Sequence, residues 1–162
     1  MYTLFMDIVL RNKRGDEYKV LVDDKYSYLS EMSWNIMNQL DSKKTYFRTR
    51  INGKYDYLHR HIAGCSDNGM VVDHIDGNTF NNLSSNLRIC TRQQNSQNRL
   101  PIRGRQYKGV SETKSGKFVA TLSIKEMTYQ VKYFKSSKEA AIMYNLLIDN
   151  FGNEYHNKNK IL

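Results

Sequence analysis

Residues 71–95 read VVDHIDGNTFNNLSSNLRICTRQQN, and no other stretch restricts the fold as tightly. VVDHI is a short apolar run. Asp76-Gly77 follows it directly, and glycine accepts the positive φ that a tight turn demands. After the polar loop DGNTFNNLSSN, LRIC forms a second short strand. Thr91 then opens a helix: in TRQQ its hydroxyl can accept from the third helical N–H while Gln94 reaches back. Strand, loop, strand and capped helix make one compact hairpin-and-helix unit. It can gather Asp73, His74 and Asn95, although 22 residues separate the first from the last.

Those residue types suit one kind of chemistry. A carboxylate and an amide oxygen form a hard, incomplete shell that fits Mg²⁺ or Mn²⁺, ions that keep waters and accept phosphate oxygens as further ligands. An imidazole with a reference pKa of about 6.5 is mostly neutral at pH 7. His74 can therefore take a proton from a water attacking phosphorus, while a metal stabilises charge on the leaving oxygen. Neighbouring strand residues point to opposite faces, so the strand is expected to end or twist at Asp73-His74. Taken singly, an Asp-His pair is more often a turn or surface pair. Asn78, Asn81, Asn82 and Asn86 read equally well as turn formers.

The string LHRHIAG...VVDHIDGNTFNNLSSNLRICTRQQNSQN, residues 58–98, resembles the HNH endonucleases of the ββα-metal superfamily, especially those of phages and mobile introns. The resemblance implies that Asp73 and Asn95 bind the metal, His74 is the general base, and Asn86 braces the loop that aims the imidazole. Asn95 stands where the family name has His, and related homing enzymes share that change. His59 and Arg60 recur in the pattern ahead of the site, as structural support or as DNA contacts. His61 carries less weight, and His156 is expected at the surface.

Composition agrees with an intracellular DNA partner. The chain of 162 residues carries a net charge of +9, divided as 13 basic and 11 acidic side chains in residues 1–95 against 12 and 5 in residues 96–162. A basic balance favours a polyanion. No run reaches the roughly 18 apolar residues of a membrane span, and no secretion signal is read, so the protein is expected in the cytoplasm of the host cell of a phage or mobile element. Cys65 and Cys90 lack CxxC spacing and read as buried or inert thiols. Upstream, YKVLV (18–22) is a strand candidate, and DKYSYLSEMSW (24–34) a short helix with Tyr28, Leu29, Met32 and Trp34 in the core. TYFRTRI (45–51) is a hairpin strand that passes through Asn52-Gly53 into YDYLHRHIAG. The single proline falls in SQNRLPIRGRQ, the natural linker, which carries Arg99, Arg103 and Arg105.

Beyond the linker, YKGV, SGKFVATL and YFKSSKEAAIMYNLLIDNFG resemble the Apetala-two/ERF-type DNA-binding domain, which implies three antiparallel strands on one helix with the open sheet face in the major groove. Periodicity supports that layout independently. Phe118, Ala120, Leu122 and Ile124 alternate with Lys117, Val119, Thr121, Ser123 and Lys125, and Ala140, Ala141, Tyr144, Leu147 and Ile148 recur at helical spacing. Carried over position by position, the resemblance points to Lys108, Gly109, Ser111, Thr113, Ser115, Thr121, Ser123, Thr128 and Gln130 as DNA contacts. Lys108, Lys114, Lys117, Lys132 and the linker arginines would meet phosphate. Alternation places Tyr129 and Tyr133 opposite the Thr128, Gln130 and Lys132 face.

The expectation is an α+β chain in three parts: a ββα-metal nuclease domain with an N-terminal α+β extension (1–98), a basic linker (99–106), and a three-stranded sheet packed on one helix (107–162). It would be a metal-dependent, homing-type endonuclease that nicks or cleaves double-stranded DNA as a monomer or homodimer. The alternatives are a catalytically silent DNA-binding regulator, and an RNA-binding module that would show stacking aromatics on its sheet.

Overall fold

The computed structural model describes residues 4–39, 44–67, 69–99, 101 and 104–161. It is a mixed α/β chain of small antiparallel sheets and few helices, divided into two compact units, Met1–Asn95 and Ser96–Leu162. No helix among the described residues is long and apolar enough to cross a membrane.

The first unit begins with a hairpin of β1 (Phe5–Arg11) and β2 (Glu17–Asp23). Its turn is closed by the Asn12 side chain, whose Oδ1 accepts from the N–H groups of Arg14 and Asp16, both at 2.9 Å. Asp24–Glu31 follows as a 3-10 helix. Of the expected core residues there, Leu29 and Trp34 are buried, and Trp34 Nε1 donates to the Leu29 carbonyl at 2.9 Å. Tyr28 departs from that expectation at 51% exposed, because its hydroxyl reaches outward to His61 Nε2 at 3.0 Å.

A second sheet orders β3 (Asn35–Gln39), β4 (Lys44–Ile51) and β5 (Lys54–Tyr57) side by side. Asn52 and Gly53, both at positive φ (50° and 77°), make the turn between β4 and β5 that matches the right-handed strand twist. The second hairpin strand stops at Tyr57, and Leu58–Ala63 is helix α1, ended by Gly64 at φ 64°. Ile8, Leu10, Val20, Val22, Leu29, Trp34, Phe47, Leu58 and Ile62 form one apolar cluster that joins both sheets to α1. Against it stand β6 (Val71–His74) and β7 (Leu87–Cys90), paired so that Asp73 faces Arg88 and His74 faces Leu87. Helix α2 (Arg92–Gln97) follows. Cys65 and Cys90 are buried and free.

In the second unit, β8 (Val110–Glu112), β9 (Phe118–Ile124) and β10 (Met127–Phe134) form a sheet in the order β10-β9-β8. Helix α3 (Ser137–Phe151) starts at Ser136, whose side chain accepts from Glu139 N. Ala140, Ala141, Tyr144, Leu147 and Ile148 pack against Val110, Ala120 and Leu122. Gly109 sits at φ 69°, and a Cβ there would lie 2.1 Å from the Tyr144 ring, so close packing against α3 requires glycine at this position. Val119 was expected among the open-face residues but is 5% exposed, and His156, expected at the surface, is 8% exposed. His156 Nδ1 bonds Asn153 at 2.9 Å, and burial pushes the imidazole below its ordinary pKa. Beyond α3, Asn159 clasps both the segment leading into β8 and α3 itself. Its side chain accepts from Lys108 N at 2.7 Å and donates to Lys108 O at 3.0 Å, while its backbone exchanges bonds with Asn145 at 2.7 and 2.9 Å.

Candidate active site

Strand β6 ends at His74, so its last two residues present their side chains to different surroundings. Asp73 is 5% exposed and faces across the hairpin. Arg88 Nε and Nη2 both donate to Asp73 Oδ2, at 3.0 and 2.8 Å, so a planar guanidinium fixes the carboxylate. Arg88 was not singled out from sequence, although pairing LRIC against VVDH in this register would have placed it opposite Asp73.

His74 is 4% exposed. Its Nε2 lies 3.2 Å from Asn82 Oδ1, and Asn82 Nδ2 donates to the Thr79 carbonyl at 3.0 Å. That second bond fixes which way the Asn82 amide points. The oxygen facing His74 can only accept, so Nε2 carries the proton and the lone pair resides on Nδ1. Burial holds the His74 pKa below the ordinary imidazole value, against the opposing effects of the Asn82 bond and of Asp76 and Asp73. The ring stands in an aromatic enclosure, with His59 at 5.4 Å and Tyr46 at 6.5 Å between centroids. Burial first, then the neighbouring His74 and Arg60, pushes His59 down to about 3, which keeps it neutral. Burial and the Asp73 charge raise Tyr46.

The loop between the strands is built on asparagines. Asn86 Oδ1 accepts from Asp76 N at 3.1 Å, and its Nδ2 donates to Asp76 Oδ1 at 2.9 Å and to Asn81 O at 2.8 Å. Asp76 Oδ1 also accepts from Asn78 N, and Oδ2 from Asn81 Nδ2, both at 2.8 Å. Burial alone would raise the Asp76 pKa, but the bonds from Asn78, Asn81 and Asn86 prevail and lower it. Gly77 N donates to His74 O at 2.8 Å, which closes the turn directly behind the imidazole. The far side of the loop is tied to β2: Leu21 N donates to Phe80 O and Asn82 N to Leu21 O, at 2.9 and 2.8 Å. Buried Asp23 accepts from Ser84 N at 2.9 Å. The N-terminal hairpin thus serves as the wall against which the His74 loop is set.

Helix α2 begins with the reciprocal cap that TRQQ predicts. Gln94 N donates to Thr91 Oγ1 at 3.2 Å and Thr91 N to Gln94 Oε1 at 2.8 Å. Asn95 follows in this first turn, half-buried. Among the described residues no group of three His, Cys, Asp or Glu could hold a metal. The sequence candidates for a cation, Asp73 and Asn95, offer one carboxylate and one amide oxygen. That donor chemistry fits a hard, partly hydrated divalent ion.

The remaining candidate residues lie in varied settings. Arg60 spends its guanidinium on the carbonyls of Met70 and Asp67, at 2.9 and 2.7 Å, which braces the segment leading into β6. His59 lies in the enclosure around His74. Arg99 and Arg105 are exposed, and Arg103 lies outside the described residues. Lys108 is half-buried, with its ammonium on the Gln97 carbonyl, and burial lowers its pKa. Thr113 closes the β8–β9 turn by accepting from Lys117 N at 3.1 Å, and contacts Ser115 Oγ at 3.0 Å. Lys114, Ser115, Lys117 and Lys132 are exposed, and Ser111 is half-buried. On the open face Ser123 pairs with Thr128 and Gln130 with Thr121, both at 3.2 Å.

Comparison with known proteins shows the family to which this arrangement belongs. Residues 56–97, which hold α1, β6, the asparagine loop, β7 and α2, match the HNH endonuclease family. The chain is also similar to an uncharacterised HNH endonuclease of Acanthamoeba polyphaga mimivirus, 32% identical over 143 residues, which cover 85% of this chain and 72% of the viral protein. No solved structure matches the chain. The class is that of enzymes that hydrolyse phosphodiester bonds of DNA, and in general such nucleases depend on a divalent metal. The chain belongs to the HNH endonuclease family.

Proposed function

We propose that the protein is a site-selective, homing-type endonuclease that nicks or cleaves double-stranded DNA, with His74 as general base. The observation that carries this reading is the contact of His74 Nε2 with the Asn82 amide oxygen at 3.2 Å, which favours the proton on Nε2 and the basic lone pair on Nδ1. Asn86 holds the Asp76-Gly77 turn, and so the direction of the imidazole. Asp73 and Asn95 would hold Mg²⁺ or Mn²⁺. When bound, such an ion offsets negative charge developing at the reacting phosphate. His74 is buried, and its neighbour His59 is held neutral, so it adds no positive charge beside the base.

Residues 107–162 supply the targeting in this reading, as an Apetala-two/ERF-like module joined through the basic segment 99–106 to the nuclease part, residues 1–98. The support is the three-stranded sheet packed on α3, with Ser123, Thr128, Gln130 and Thr121 on its open face. The test incubates the full chain and His74→Ala with supercoiled DNA, in Mg²⁺ or in chelator, and maps the ends. Open circles that need both Mg²⁺ and His74 are expected. Cleavage that survives chelation, or full activity of His74→Ala at neutral pH, removes the mechanism.

A further inference from the structure

Near its end β10 departs from its ladder. Val131 pairs with Ala120 and Phe134 with Phe118, so Lys132 and Tyr133 together face the single residue Val119. Such a bulge bends a strand and re-aims its side chains. Tyr133 lies at φ 72°, in the left-handed region where an L-residue's Cβ crowds its own backbone. Simple alternation from Tyr129 through Val131 would have sent Tyr133 toward α3. Phe134 is seated there instead, and Tyr133 is turned out to 73% exposed.

Seating Phe134 explains the bulge but not the ring on it. Glycine or asparagine would take this φ with less strain. Tyr129 earns its place by stacking on Phe151 at 4.2 Å, whereas Tyr133 makes no hydrogen bond or ring contact among the described residues. Its neighbours Lys132 and Lys135 are both exposed. A strained, outward aromatic between two cations matches duplex DNA, whose deoxyriboses and base edges offer apolar surface between phosphates.

We propose that Tyr133 is a DNA contact of the C-terminal unit, held out by the bulge to pack on deoxyribose and a base edge while Lys132 and Lys135 meet the adjoining phosphates. This rests on reading residues 107–162 as a DNA-binding module. The test uses the full chain with chelator and a fluorescent mixed-sequence duplex, and compares Tyr133→Gly, Tyr133→Phe and the double variant Lys114→Ala, Lys117→Ala. Tyr133→Gly should melt no lower than the parent, because the strain is relieved, yet bind about tenfold more weakly. Tyr133→Phe should bind like the parent. Unchanged binding by Tyr133→Gly, with weakened binding by the lysine variant, overturns the inference and leaves the module reading intact. Unchanged binding by every variant overturns both. A Tyr133→Gly protein that melts well below the parent makes the ring a structural part and overturns the inference. If that variant does not fold, Tyr133→Asn, which also tolerates this φ, is read by the same two measurements. Loss of affinity for single-stranded RNA but not for duplex DNA overturns the choice of partner.

Discussion

Arg88 stands directly across the β6–β7 hairpin from Asp73 and places two N–H groups on one carboxylate oxygen. The pair is largely dry, with 16% and 6% of the two side chains exposed. Removing one partner of such a pair strands a buried charge, at a cost of about 3 kcal/mol. Arg88→Met should therefore lose stability by that order, and Mg²⁺ should restore part of it by taking over the carboxylate. Thermal unfolding with Mg²⁺ and with chelator measures this. A melting temperature of Arg88→Met that responds to Mg²⁺ no more than the parent's would argue against a cation at Asp73.

The Asn82–His74 contact predicts how the rate depends on pH. Burial lowers the His74 pKa, so its base form persists to more acid pH than an ordinary imidazole's. The acid limb of the nicking rate should fall below about pH 6.5. Asn82→Asp puts a negative charge on Nε2–H, favours the imidazolium, and should move that limb upward. His74→Ala should slow nicking at least about 100-fold with duplex binding retained. A limb that does not move in Asn82→Asp disconnects Asn82 from the base.

His59 makes stability depend on pH in a definite direction. Its pKa is about 3 in the folded protein, against about 6.5 unfolded. Between those values the unfolded chain binds the extra proton, so stability contributed by neutral His59 is complete above about pH 6.5 and is lost as pH falls toward 3. The slope is at most about 1.4 kcal/mol per pH unit. His59→Gln should flatten urea-unfolding stability between pH 4 and 6.5, relative to the parent. An unchanged slope in the variant would place His59 in water.

Lys114 and Lys117 are exposed at the β8–β9 turn. If both neutralise phosphates, Lys114→Ala with Lys117→Ala should make the slope of log K against log salt shallower by about 2. Gln130→Ala should leave the slope alone and change the preference among sequences. A salt titration of duplex binding decides, and an unchanged slope in the lysine variant would remove the turn from the interface.

The hairpin, its turn and the cap on α2 were legible because their signals are local: short apolar runs, Asp76-Gly77, and the reciprocal TRQQ box. Arg88 and Asn82 were not, since their importance depends on strand register and on which way one amide is turned. Strands β1 and β3 were missed, and helix α1 was read into the hairpin. In LHRHIA the buried Leu58 and Ile62 are four apart, a spacing too short to show a period on its own. Tyr133 and His156 were misplaced for another reason. One bulge shifts the alternation, and packing of the segment after α3 buries an imidazole in polar sequence.

The clasp made by Asn159 means that the sheet and the helix of the C-terminal unit are tied together by a residue that belongs to neither. The Asn159 amide holds the backbone of Lys108 ahead of the first strand of its sheet, as a further strand would, and its backbone grips α3. Anyone moving this unit to another chain must carry the residues through Asn159 with it. Cutting after the final turn of α3 would leave the entry to β8 without its partner.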